Sequence, residues 1–207
     1  MRADFMVGNF LIVAVAYLLG SIPTAYLMGW TLRGIDIRTV GSGNVGATNV
    51  FRTIGKVAGI STLLIDIAKG LLAVELALIY RGGDFWPLVA GVAAVAGHSW
   101  SLWVNFRGGK GVATSAGVFL ALLPGPMGIA LLVFAVAFGV SRRVSVGSIL
   151  AAGALPLAAY FLGSPPARVI LAVILSVVVI VRHMPNIRRL LRGEEPPLFM
   201  TSKKGPS

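Results

Sequence analysis

Seven stretches of the chain are almost wholly apolar, and the polar positions collect between them. A helical crossing of a bilayer needs about 20 apolar residues. The first run extends from Phe5 to about Trp30 and is interrupted by Gly20, Ser21 and Pro23, which predicts a kink in its second half. The second runs from Val57 to Tyr80 and the third from Phe85 to Trp103. From Val112 to Val140 the chain stays apolar but is broken by Leu-Pro-Gly-Pro at 123–126, predicting two short crossings joined by a tight turn. Val146–Leu162 and Ala167–Val181 complete the set, separated by Gly-Ser-Pro-Pro. The expectation is an all-α, polytopic integral membrane protein of about seven transmembrane helices. Residues 1–195 read as one transmembrane domain without an internal repeat, and 196–207 as a loose cytoplasmic tail.

Composition closes off the alternatives. Charged residues are only 12% of the 207, hydrophobic residues 57%, and the mean hydropathy is +0.88. A soluble domain carries about 25% charged residues, and a disordered chain is poor in apolar ones. The net charge of +11 means that the few charges nearly all carry one sign. Arg33, Arg38, Arg52, Lys56, Arg107, Lys110, Arg142 and Arg143 fall in alternate loops. They share a side with Arg182, Arg188, Arg189, Arg192, Lys203 and Lys204 after the last run. The opposite side has Arg2, Arg81 and Arg168, so the positive-inside rule puts the N-terminus outside and the C-terminus in the cytoplasm. The first run is too long for a signal-peptide core and lacks a cleavage site, so it reads as a retained span. There is no cysteine, which removes disulfides, thiol catalysis and palmitoylation. His98 and His183 are far apart and the seven acids are scattered, so no metal site is expected.

Four segments on the basic side carry more chemistry than connectors need. Gly41-Ser42-Gly43-Asn44, continuing through Thr48 and Asn49 to Arg52, combines close-approach glycines, neutral hydrogen-bonding groups and a guanidinium fork, without an acid. Phe106-Arg-Gly108-Gly109-Lys110-Gly111, ending at Thr114, is a Gly-rich turn entering a helix, an arrangement that cradles anions on backbone N–H groups. Its spacing is not that of a nucleotide-binding P-loop. Arg143, Ser145 and Ser148 open the sixth run, and either serine suits a helix cap or an anion contact. Arg182-His183-Met-Pro-Asn186 leads on to Arg189 and Glu195, a basic amphipathic stretch that would also suit a lipid-headgroup anchor. Within the second run, Asp66 and Lys69 are spaced to share one helical face, either as a self-neutralised structural pair or as a functional one. His98 reads equally as a helix–helix hydrogen bond or a site residue. Neither a His-x4-Asp pattern nor a G-x-S-x-G elbow is present.

At these residues the chain resembles the bacterial membrane acyl-phosphate:glycerol-3-phosphate acyltransferases. The matching stretches are Gly20-Ser-Ile-Pro-Thr-Ala-Tyr26, Gly41–Asn49 with Arg52, Gly97-His98 through Phe106–Thr114, Arg143-Val-Ser145 with Ser148, and Arg182-His-x-x-Asn186-Ile-x-Arg189 with Gly193-x-Glu195. The resemblance implies seven helices, an N-terminus outside, and a site on the cytoplasmic face of the bacterial inner membrane. It implies transfer of a fatty acyl group from acyl phosphate to the sn-1 hydroxyl of glycerol 3-phosphate, giving lysophosphatidic acid and phosphate in the first step of phospholipid synthesis. No metal or cofactor is implied. The expected partners are acyl phosphate, glycerol 3-phosphate and membrane lipid, with no nucleic acid; the enzyme that supplies acyl phosphate is a further candidate.

The residues suit that chemistry. Acyl phosphate is already activated, and its own oxygens can accept the hydroxyl proton, so no dedicated base is required. Positioning and stabilisation of negative charge remain for the protein. The catalytic candidates are Ser42, Arg52, Lys110, Ser148, His183 and Asn186. The substrate-binding candidates are Gly41, Gly43, Asn44, Thr48, Asn49, Gly108, Gly109, Gly111, Thr114, Arg143, Ser145 and Glu195, with either phosphate able to occupy either Gly-rich cradle. The acyl chain would lie in a groove entered from the bilayer. An organic-phosphate transporter is the competing class, disfavoured by charges on one face and the lack of two halves. A non-catalytic scaffold binding anionic lipid fits the polar density at 41–52 poorly.

Overall fold

A computed structural model of the chain describes residues 2–80 and 83–199, leaving aside the side chains of residues 2–4. Arg81, Lys203, Lys204 and residues 200–207 of the expected tail lie outside the described residues, as does the Arg2 side chain. The described residues contain α-helices, one short 3-10 turn and no strand.

The first apolar run is two helices, α1 (Arg2–Ser21) and α2 (Thr24–Arg33). Pro23 brings no N–H to the ladder, so the predicted kink is a full break. α2 closes on Gly34, whose φ of 65° lets its N–H donate to Trp30 O and the Ile35 N–H to Gly29 O. A short α3 (Ala47–Thr53) precedes α4 (Lys56–Ile79), and α5 (Phe85–Ser99) leads into the 3-10 turn Leu102–Val104. The Leu-Pro-Gly-Pro signal falls where α6 (Val112–Leu122) hands over to α7 (Pro124–Ser141); the proline fits the first turn, where its missing N–H costs nothing. α8 (Val144–Phe161), α9 (Pro166–Arg182) and α10 (Met184–Leu191) follow, with a bend of 56° between the last two.

Among the described residues four stretches are long and apolar enough to cross a membrane: Phe5–Arg33, Phe85–Val104, Pro124–Ser141 and Val144–Phe161. Counting the bent pair α9 and α10 as one span makes five. α4 has 24 residues but carries Lys56, Asp66, Lys69 and Glu75, and α6 has only 11. Large apolar side chains face outward, including Val140 at 84% exposure and Phe161 at 78%. An apolar exterior of this kind suits lipid. The interior holds a cluster of buried Val, Leu and Phe side chains, and small residues where helices approach most closely. α1 packs on α5 and α4 on α6. Gly70 lies against the carbonyl of Thr114, and Gly117 against that of Ile67, so a Cβ at either position would collide with backbone. Such close approach replaces the hydrophobic effect, which lipid does not supply.

Residues 196–199 are tied down. Arg52 Nη2 donates to the carbonyls of Pro196 and Pro197 at 3.1 Å each. The Leu198 N–H donates to Arg142 O at 2.9 Å, and Phe199 meets Phe51 edge to face.

Candidate functional site

The Gly-rich turn before α6 is held by backbone. The Gly108 N–H donates to Ser99 O at 3.2 Å and the Gly109 N–H to His98 O at 3.1 Å. Arg182, at the end of α9, places Nη2 at 3.0 Å from Gly108 O and 2.8 Å from Gly109 O. A Cβ on Gly109 would strike both the His98 ring and the carbonyl of Val45. The second polar segment is thereby pressed against the first at Val45. Gly111 has φ +82° and starts α6 with no side-chain cap, which leaves the first N–H groups of that helix available.

Lys110 emerges from this turn and donates from Nζ to Asn186 Oδ1. Asn186 Nδ2 donates to Glu195 Oε1 at 2.6 Å, and Ser145 Oγ donates to the same oxygen at 2.7 Å. Arg189 Nε donates to Glu195 Oε2 at 2.7 Å, and Arg143 Nε to the Glu195 carbonyl at 2.8 Å. Glu195, only 5% exposed, thus ties the starts of α8 and α10 to the Lys110 turn. Glu194 is exposed, and Arg142 is exposed with its carbonyl turned to Leu198. Of each doubled pair it is Glu195 and Arg143 that enter the network.

The electrostatics are lopsided. Arg189 pairs with the one carboxylate, Arg52 and Lys110 feel its charge, Arg143 binds its backbone carbonyl, and Arg182 stands behind the Lys110 turn. Burial pushes the Lys110 amine down to about 8; Glu195 opposes this, while Arg189, Arg182 and Arg52 add to it. Burial raises the Glu195 carboxyl, but the hydrogen bonds from Asn186, Ser145 and Arg189 outweigh it and hold the group below its ordinary range. Burial also lowers the Arg52 guanidinium, with Glu195 opposing and Arg189 adding. The Arg52 Nε–H is buried without an acceptor.

The first polar segment is organised by Asn49. Its Nδ2 donates to Ile37 O and Val40 O at 3.1 Å, and its Oδ1 accepts the Ser42 N–H at 3.0 Å. With both ends of its amide engaged inside the loop, Asn49 shapes the loop. Gly41 and Gly43 sit at positive φ around the exposed Ser42, while Asn44 and Thr48 are half-buried. Ser148 Oγ donates to Val144 O within α8 at 2.9 Å. Thr114 is fully buried against α4 with Oγ1 unpartnered. His183 Nδ1 lies 2.8 Å from Val179 O, which leaves Nε2 as its other polar atom.

Beside the break between α1 and α2 lies an open apolar groove of about 640 Å³, lined by Val15, Leu18, Ile22, Pro23, Leu27 and Trp103 among others. A small space behind it shares Ile22 and Pro23 and is lined by Asp66, Lys69, His98, Ser101 and Gly108.

The family model described as Glycerol-3-phosphate acyltransferase matches residues 10–193. The chain belongs to the glycerol-3-phosphate acyltransferase family. It is 46% identical over 199 residues to the glycerol-3-phosphate acyltransferase of Endomicrobium trichonymphae, covering 96% of this chain and 100% of that one. It is 50% identical to that of Trichlorobacter lovleyi over 88% of this chain and 94% of the relative. It is also similar to the crystal structure of PlsY (YgiH), an integral membrane glycerol 3-phosphate acyltransferase, in its glycerol 3-phosphate form. The TM-score is 0.89 at 38% identity, over 94% of this chain and 96% of that one. The lysophosphatidic acid form gives 0.84 at 37%, over 92% and 95%.

In this member of the acyltransferase family two features escaped the sequence reading. Arg182, read in the sequence only as part of a basic stretch and given no role, is the clamp of the Gly108–Gly109 turn; its place at the end of an apolar helix was the signal that could have marked it. Asp66, Lys69 and His98 come from two helices into one buried cluster, a meeting no spacing along the chain reveals.

Proposed function

We propose that this chain moves a fatty acyl group from acyl phosphate to the sn-1 hydroxyl of glycerol 3-phosphate at the cytoplasmic face of the inner membrane. The observation that carries the reading is the gathering of Arg52, Lys110, Arg143 and Arg189 about Glu195 alone, with an open apolar groove joined to the Gly108 turn through a small space. Surplus positive charge in a half-buried site favours anions, and the groove supplies apolar surface for an acyl chain. The names of the relatives and the ligand forms of the similar structures support glycerol 3-phosphate as one reactant.

In this reading the chain crosses seven times, with its N-terminus outside. α6, at 11 residues, is about 16 Å long, roughly half the hydrocarbon core. The turn that starts it is therefore recessed below the membrane surface, where the groove can deliver a lipid-borne donor. Lys110, Arg52 and the N–H groups of Lys110, Gly111 and the first turn of α6 hold phosphate oxygens, the Gly108 and Gly109 N–H groups being spent on Ser99 and His98. Ser42, Gly43 and Asn44 border the donor phosphate, and Ser148, His183 and Asn186 orient the glycerol moiety. Arg143, Ser145 and Glu195 fix α10 over the site. The sn-1 oxygen attacks the acyl carbon, and the bond from that carbon to the phosphate oxygen breaks. The hydroxyl proton passes to the departing phosphate, leaving lysophosphatidic acid and inorganic phosphate. The cations stabilise the charge that develops on the carbonyl and leaving oxygens.

Purified protein given palmitoyl phosphate and glycerol 3-phosphate should release lysophosphatidic acid and phosphate in equal amounts, and should not accept palmitoyl-CoA. Absence of product, together with counterflow of glycerol 3-phosphate in liposomes, would replace the reading with transport.

A further inference from the structure

Asp66, Lys69 and His98 take no part in the proposed chemistry, yet they are three ionisable side chains buried within the bundle, at 2%, 3% and 7% exposure. Lys69 Nζ pairs with Asp66 Oδ1 at 2.8 Å, and His98 Nδ1 stands 3.7 Å from the same oxygen. A buried pair adds little or nothing to stability over apolar residues of the same volume. Self-neutralisation therefore does not account for what the three reach outside themselves. Lys69 Nζ also donates to the carbonyl of Ile22 at 3.0 Å, at the break between α1 and α2. Ile22 lines the apolar groove. At the other end, the His98 carbonyl accepts the Gly109 N–H, and its ring packs on the α-carbon of Gly109, the residue before Lys110. Ser101 reinforces the same junction by donating from Oγ to Ser21 O.

We propose that Asp66, Lys69 and His98 form a charged strut that holds the wall of the apolar groove in register with the Gly109–Lys110 turn. These are positioning residues: through them the acyl chain and the phosphate of one donor molecule are kept at a fixed separation. The strut rests on the acyl-transfer reading, because only a donor with an apolar tail and an anionic head needs both ends aligned.

The two ends give different signatures. Lys69→Met releases Ile22 and loosens the groove wall. The ratio of kcat/KM for palmitoyl phosphate to that for octanoyl phosphate should fall about tenfold, while Lys69→Arg, which can still reach the carbonyl, keeps most of the ratio. His98→Gln keeps the backbone bond to Gly109 but removes the ring that packs on it, loosening the turn on that side. It should lower kcat about tenfold on both donors, leaving the ratio and the KM for glycerol 3-phosphate unchanged. A purely structural cluster would lower melting temperature and yield but leave kcat per folded molecule and the chain-length ratio as in the wild type, and that result overturns the strut. Should Lys69→Met not fold, His98→Gln still decides: an unchanged kcat per folded molecule on both donors is fatal to it. Wild-type protein in the same assay separates the two readings, since no turnover there removes the acyl-transfer reaction itself.

Discussion

The chain buries charge in two places and in opposite ways. Around Asp66 and Lys69 the charges balance within the protein, Lys69 pairs with Asp66 and donates to Ile22 O, and both side chains are almost fully covered. Around Glu195 they do not balance: Arg52, Lys110, Arg143 and Arg189 gather about a single acidic residue, and the Arg52 Nε–H has no acceptor. An uncompensated cation in a low-dielectric site is costly, several kcal/mol for each ion. The balanced cluster can therefore be internal scaffolding, whereas the unbalanced one makes physical sense as half of an ion pair whose other half arrives with the substrate.

The largest effect that would break this contrast is at Lys110. Lys110→Ala should cost about 10²–10³-fold or more in turnover of palmitoyl phosphate and glycerol 3-phosphate. Its melting temperature in detergent should hold or rise, because the folded state no longer buries that amine. Turnover close to wild type would mean that the surplus charge has nothing to do with the reaction.

Glu195 tests the other sign. Glu195→Gln keeps the shape but removes the one anion, so the surrounding cations repel and α10 loosens over the site. Arg189 is partly exposed, which limits the stability change to about 1 kcal/mol, or about 2–4 °C in melting temperature. Because the folded carboxyl titrates below its ordinary value of 4.5, its contribution is fully present above that pH and fades as pH falls through the lower folded value. Thermal melts from pH 7 down to 3 should show this acid loss in the wild type and a flatter profile in Glu195→Gln.

The pH dependence of substrate capture sharpens the contrast further. Lys110 is charged below about 8 and neutral above it, so attraction for phosphate weakens as pH rises through that value. KM for glycerol 3-phosphate should climb above pH 8 in the wild type. In Lys110→Arg the guanidinium stays charged, and the alkaline rise should disappear even where overall activity is lower. The same rise in both proteins would trace it to another group.

Much of this was legible in the sequence because lipid imposes a blunt rule: each apolar run became helix, and Leu-Pro-Gly-Pro ended α6 where proline must. The four polar segments were legible as a set because glycine, amide and arginine side chains do not crowd between spans without cause. What stayed hidden depends on pairing across space. The sequence marked Asn49 as a ligand group, but the structure spends its amide on Ile37, Val40 and Ser42. It left Glu194 and Glu195 side by side, and only the return of the chain over α8 shows which one meets Ser145. Asp66 and His98 belong to different helices, and their meeting follows from how α4 and α5 pack, which hydropathy does not encode.

The smallest expected effect concerns the proton. If surplus charge does the work, the site needs no strong base, and His183 is the side chain where that can be tested. Its Nδ1 faces Val179 O at 2.8 Å, so the ring carries its hydrogen there and Nε2 is the atom left to face a substrate. A true general base contributes about 10²–10⁴-fold, whereas an orienting contact contributes far less. Glutamine can keep a hydrogen bond at that position but cannot accept a proton. His183→Gln should therefore lose less than about tenfold in kcat with little change in KM, because the departing phosphate takes the hydroxyl proton itself. A loss beyond about 10²-fold with glycerol 3-phosphate still bound, measured by single-turnover assay and equilibrium binding side by side, would make the histidine a base. The reaction would then depend on a protein proton acceptor and not on cation surplus alone.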